Sequence, residues 1–305
     1  MNDTLDLIDK HNFDHRPTPT ARLDPCFDSN FKNLFTQGTE ASTLALKDFI
    51  STLLGHDVKN LQLRPNEPPK DSVKQMQMSF DVSVEFEGGE KADLEMQSRL
   101  LDYDYGSRSE IQAARLLNNN AKTGSNWNVP KVYQISVLNF EFDKDDNEVL
   151  AWYTMKNQNN ITLAGRLNIL YFDLVKLRRQ VRNKAVRKMT KLEKWGLYFS
   201  YADDESRQNL IKQIVKSEAG IMAADTILTN MSENDDNWAL QFSLWKARLD
   251  YNTPIENAHK RGFSEAIEQT ATNLLKMHKL TNEQISQVTG LPLEKVLELE
   301  KSLKK

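Results

Sequence analysis

The alternation of apolar and polar residues is sharpest between positions 78 and 97. Met78, Phe80, Val82, Val84 and Phe86 are apolar at every second position, and after Gly88-Gly89 the pattern resumes with Ala92, Leu94 and Met96. A period of two puts one set of side chains on one face of a strand. Two such runs around a glycine pair predict a β-hairpin with one apolar face. Turn length then decides the register. A two-residue turn would set Val82 opposite Glu95 and every apolar residue against a polar one. A three-residue turn, Glu87-Gly88-Gly89, sets Phe86 opposite Glu90, Val84 opposite Ala92, Val82 opposite Leu94 and Phe80 opposite Met96. One face then stays apolar throughout. An odd-length turn with Gly89 at positive φ is the expectation.

The flanking patterns are helical. Phe27, Phe31, Leu34 and Phe35 share a face over 25–36. A second helix is predicted over about 41–54, with Leu44, Phe49, Ile50, Leu53 and Leu54 apolar and Gly55 as its stop. VKNLQLR (58–64) alternates like a short strand. After the hairpin come a helix over about 106–121, a strongly apolar strand over 132–140, and strand-like runs over 149–155 and 167–174. From about 189 onward the apolar spacing shifts to three and four. This order predicts an α+β or α/β core over 23–180 and a helical extension over 181–305. Residues 1–22 are polar with two prolines and read as a mobile tail. Near the end, Thr281 and Gln284 are spaced as a capping box, and Thr289-Gly290-Leu291-Pro292 reads as a turn. This helical pair has the outline of a helix–turn–helix, and both DNA reading and simple packing stay open for it.

Composition narrows the class. Hydrophobic residues are 39% and charged residues 27% of 305, as in soluble globular proteins. No apolar run could span a bilayer, and the first twenty residues hold no stretch like a secretion signal, so a cytoplasmic protein without a membrane partner is expected. The lone Cys26 excludes an internal disulfide and a cysteine-rich zinc site, and His11, His15, His56, His259 and His278 are not at zinc-ligand spacing. A net charge of −3 argues against wholesale coating of nucleic acid. Yet residues 176–194 carry nine Lys or Arg against one acid. That stretch is either a solvated basic surface or one that contacts phosphates.

The candidate chemistry lies on the hairpin's polar face. In the three-residue register Asp81 faces Glu95, with Gln97, Asp93 and Ser83 on the same side. Directly opposed Cβ atoms are about 4.5–5.5 Å apart, and like charges there repel. A divalent cation with hard oxygen ligands, Mg²⁺ or Mn²⁺, would compensate. The alternative is a solvent-facing polar side of an edge hairpin. Lys91, by its position, pairs more plausibly with Glu85 than with this site.

Asp81-Val82 on one strand and Glu95-Met96-Gln97 on the next resemble the PD-(D/E)xK nuclease core, in its variant with Gln replacing Lys. More narrowly, the chain resembles the bacterial recombination-promoting nucleases, a PD-(D/E)xK transposase family. FDSNFKNLF (27–35) is similar to their opening helix, and LEMQSRLLDYDYGSRSEIQAARLL (94–117) to their Glu-x-Gln strand and the helix with an early Arg-Ser, here Arg108-Ser109. LNILYFDLVKL (167–177) resembles a later strand, from which Asp173 and Val175 depart. LEKW (192–195) and LTNEQISQVTGLPLEKVLEL (280–299) also match, so the similarity runs from about 24 to 300. The resemblance implies an α/β fold with a restriction-endonuclease-like mixed central sheet flanked by helices. It implies a metal-dependent DNA endonuclease linked to recombination, transposition or phage defence, using Mg²⁺ (or Mn²⁺ or Ca²⁺) and no small organic cofactor. Asp81 and Glu95 would be metal ligands with the Met96 carbonyl as a third, and Gln97 would take the position of the lysine. Asp28 is the candidate extra acid. Arg108, Lys32, Arg178, Arg179 and Arg182 are the candidate DNA contacts. Homo-oligomerisation stays open. The rival readings are an inactive DNA-binding or regulatory protein on the same fold, and a helical partner-binding protein.

Overall fold

The computed structural model describes residues 12–65, 80–99, 104–121 and 127–303. Met78, the first member of the alternation, and residues 1–11 of the expected tail lie outside them.

Helices α1 (Asp28–Thr36) and α2 (Glu40–Leu54) form where the apolar spacing places them. Thr39 and Ser42 cap α2 reciprocally, and Gly55 ends it at φ 71°, a left-handed position that glycine adopts without steric cost. Leu44 is exposed, not buried as expected. It sits one position off the stripe formed by Ala45, Leu46, Phe49, Ile50 and Leu53. Strand β1 (Leu61–Leu63) pairs with β2 (Val82–Phe86), and β2 pairs antiparallel with β3 (Lys91–Gln97). The hairpin register is the one the apolar face requires: Val82 faces Leu94, Ser83 faces Asp93, and Val84 faces Ala92. The Phe86 N–H donates to the Glu90 carbonyl at 2.8 Å, and Gly89 turns the chain at φ 78°. Phe80 does not continue this ladder. β2 begins at Val82, and Phe80 is buried with Leu116 and Val132 in a separate cluster, so its expected place opposite Met96 is corrected.

Helix α3 (Tyr105–Asn120) carries the chain from β3 to β4 (Val132–Leu138), which lies parallel to β3. β5 (Leu150–Thr154) and β6 (Leu167–Asp173) complete the sheet. Among the described residues it has six strands in the order β1-β2-β3-β4-β6-β5, with β3, β4 and β6 parallel and the rest antiparallel. This is a mixed α/β sheet of restriction-endonuclease-like type. The hairpin therefore lies inside the sheet and not at its edge. Helix α3 packs on β4 and β6, across the face that carries the hairpin's polar residues.

The opposite face supports the main core. Phe31, Phe35, Phe49, Val82, Leu94, Met96, Val137 and Phe172 meet there. After β6 come α4 (Leu174–Val181), α5 (Lys191–Tyr201), α6 (Gln208–Ser217) and α7 (Ala219–Ser232). The last three, expected as part of an extension, feed the same core. Trp195 of α5 packs with Phe49 at 5.0 Å and Phe199 at 5.5 Å between ring centroids, and α7 packs on α2. Gly196 permits the close approach, since a Cβ there would lie 2.4 Å from Leu177 Cδ1. The described end of the expected tail is also tied down. Thr18 and Thr20 hydroxyls donate to Glu205, Arg22 pairs with Asp225, and Ala21 is buried. Short polar side chains facing fixed acids account for this order.

The chain divides into two compact units, Met1–Gln241 and Phe242–Lys305. Helix α8 (Asp235–Met277) gives its buried Trp238 and Gln241 to the first. In the second, α9 (Asn282–Thr289) and α10 (Leu293–Leu303) bury Ile285 and Val296 against Ala271 and Leu275. Thr281 and Gln284 form the expected capping box, and Gly290 turns the chain at φ 73°. No helix among the described residues is long and apolar enough to cross a membrane.

Candidate active site

The hairpin's polar face is a buried layer. Glu95 is 2% exposed and Asp93 0%, because α3 lies over them. The helix supplies polar partners at helical spacing. Gln112 Nε2 donates to Glu95 Oε1 at 2.5 Å, and Arg108 Nη2 lies 3.4 Å from the same oxygen. Ser136, in register with Glu95 on β4, accepts from the Tyr105 hydroxyl at 3.0 Å. Asp93 has neither oxygen in a hydrogen bond of good geometry, and the same holds for both ends of the Gln134 amide beside it on β4.

Asp81 sits one residue before β2, just beyond the last ladder pair, Val82 with Leu94. Its Oδ2 accepts from the Met96 N–H at 3.3 Å. In a strand the N–H and C=O of one residue point to the same side, so the Met96 carbonyl is directed toward Asp81. Gln97 faces the other way along the backbone, its carbonyl accepting from Asn139 N at 2.9 Å. Its side-chain amide is half-buried and donates to the Arg99 carbonyl at 3.1 Å.

The two carboxyls share an electrostatic environment. Burial pushes Asp81 up to about 6; its bond from Met96 and the charges of Lys32 and Arg108 oppose this, and Asp28 adds to it. Burial pushes Glu95 up to about 7, with Arg108 and Gln112 opposing and Asp81 adding. Asp93 is also raised, first by burial and then by the charge of Glu95. Both acids thus hold their protons more tightly than ordinary carboxyls, as desolvated like charges must. Asp28 and Lys32 of α1 and Arg108 in the first turn of α3 all act on Asp81 electrostatically.

This donor set fits a hard divalent cation: two neighbouring carboxylates and a main-chain carbonyl, all oxygen. Among the described residues no group of three or more His, Cys, Asp or Glu gathers at metal distance. The two acids would therefore share an ion with main-chain and solvent oxygens, as Mg²⁺ tolerates.

The remaining basic candidates lie elsewhere. Arg178 Nη1 donates to Asn139 Oδ1 at 2.8 Å and to Ser200 Oγ at 3.3 Å, Arg179 pairs with Glu141, and Arg182 is exposed at the end of α4. They line a separate hollow, linked to Gln97 through Asn139. Gln112 was missed in the sequence. Its signal was the i, i+4 spacing from Arg108 on a helix following a polar strand face.

A family model described as PD-(D/E)XK nuclease family transposase matches residues 25–258. Nothing among the curated proteins or the solved structures matches the chain.

Proposed function

The chain belongs to the PD-(D/E)XK nuclease family transposases, and from that membership we propose that it is a divalent-metal-dependent endonuclease that hydrolyses DNA phosphodiester bonds. The observation that carries this reading is the half-buried Asp81, its Oδ2 on the Met96 N–H, beside the buried Glu95, whose carboxyl the charge of Asp81 pushes further up. Asp81, Glu95 and the Met96 carbonyl would hold Mg²⁺, Mn²⁺ or Ca²⁺. A bound divalent ion lowers the proton affinity of water and stabilises charge developing on phosphoryl oxygens.

The chain's own groups supply the rest. Gln97, in the place of a lysine, orients a water or phosphate oxygen through its amide but brings no positive charge. Arg108, 37% exposed at its side chain, is the charge that faces both Glu95 and an incoming phosphate. It provides the cationic stabilisation that Gln97 lacks. Lys32 and Asp28 frame the same mouth from α1. Water gives up one proton to solvent as its oxygen bonds to phosphorus, the bond from phosphorus to the leaving sugar oxygen breaks, and that oxygen takes up a proton from solvent.

One observation favours a second reading, a non-catalytic DNA-binding protein on this fold. Glu95 is already engaged by Gln112 and Arg108. Incubation of the purified protein with supercoiled plasmid separates the two. The first reading requires nicked or linear product with Mg²⁺ or Mn²⁺ and none with a chelator; the second requires retention of DNA with no product in any metal.

A further inference from the structure

We infer that the hollow bounded by α4, α5 and α6 receives a single unpaired nucleotide of a DNA strand. This rests on the reading of the chain as a DNA-acting protein and deepens it by naming the form of DNA bound. The hollow has a volume of about 460 Å³, in the range of pockets that enclose small ligands. Its lining is cationic and apolar at once. The exposed Arg182 and Arg207 form its rim with the half-buried Arg178, while the buried Met189 and Leu197 form its floor beside Val175 and Tyr201.

The rim charges are not all neutralised internally. Arg179 is paired with Glu141 and Lys184 with Glu193. Among the described residues, Arg178 bonds to the neutral oxygens of Asn139 and Ser200. Arg207 lies over the Tyr201 ring at 5.2 Å. Among the described residues no carboxylate forms a salt bridge with Arg178, Arg182 or Arg207. Three guanidinium groups around one opening match phosphate oxygens, which they bind in a planar fork. A duplex presents its phosphates on a convex rod and would leave the apolar floor untouched. An unpaired nucleotide satisfies both parts, with its phosphates on the rim and its base against the floor, as single-strand binders combine cations with apolar and aromatic surfaces. The hollow also adjoins the chemistry. Arg178 bonds to Asn139, whose N–H bonds to the Gln97 carbonyl, so a strand held here leads to the end of β3.

The test is fluorescence anisotropy with labelled oligothymidine and a labelled blunt duplex, on full-length protein in chelator. The variant is Arg182→Gln with Arg207→Gln; both side chains are exposed, so the fold should persist. Loss of two phosphate contacts should weaken oligothymidine binding at least about tenfold and lower the slope of log affinity against log salt by about 0.7 per contact, with blunt-duplex binding changed far less. Equal losses on both DNAs, or no loss on oligothymidine, overturns the inference. Because no metal is present, the assay reads binding without cleavage. A protein that never cuts plasmid but shows this pattern removes the nuclease reading and leaves the hollow assigned. One that cuts and lacks the pattern does the reverse.

Discussion

Replacing Glu95 by Gln should stabilise the metal-free protein, and only above mildly acidic pH. The carboxyl rises from an ordinary 4.5 to about 7, chiefly through burial. A raised carboxyl gives stability that is complete below the unfolded value and lost as pH rises through the folded one. The wild type should therefore weaken between about pH 4.5 and 7. At about 1.36 kcal/mol per pH unit, carrying the charge costs the folded state about 3 kcal/mol at pH 8. Gln keeps the shape and can still accept from Gln112 while removing the charge. Arg108 loses its partner but is 37% exposed at its side chain and can rehydrate. Urea unfolding in chelator at pH 4 and pH 8, followed by tryptophan fluorescence, measures the difference. The variant should match the wild type at pH 4 and exceed it by about 2–3 kcal/mol at pH 8. A variant that is less stable at pH 8, or a difference that is flat with pH, would refute the buried-charge argument.

Other consequences are as direct. Mg²⁺ or Mn²⁺ at tenfold over its dissociation constant should stabilise the wild type by about 1.4 kcal/mol and leave Asp81→Ala unmoved; equal shifts in differential scanning fluorimetry would place the ion elsewhere. Gly196→Ala should cost about 1–3 kcal/mol, because its Cβ would meet Leu177 Cδ1 at 2.4 Å and Phe172 Cζ at 2.9 Å; an unchanged melting temperature would contradict the packing of α5. Gly89→Val should cost about 1–2 kcal/mol, since that residue turns at φ 78° with Pro130 Cγ 3.3 Å from a Cβ; urea unfolding reads the loss.

The hairpin was legible because its two faces differ so sharply that one register alone keeps the apolar set together. Val82 opposite Leu94 and Val84 opposite Ala92 follow from that pattern. The helix stop at Gly55 and the capping box at Thr281 were equally plain, since capping is a local property. What alternation could not tell was what lies over the polar face. A strand with Asp93 and Glu95 outward reads as solvated until a helix with Gln112 and Arg108 is laid across it, and that is a long-range event. Likewise the spacing of 189 onward announced helices but not that Trp195 would sit beside Phe49. Phe80 shows the opposite failure: the period was extended two residues beyond the strand that the backbone keeps.

The most direct measurement is plasmid nicking by the wild type beside Asp81→Ala and Glu95→Ala, with Mg²⁺ or Mn²⁺ and matched chelator controls. The account predicts metal-dependent nicking by the wild type and its loss in both variants, each of which should remain folded by circular dichroism. Nicking that survives in both variants would contradict it.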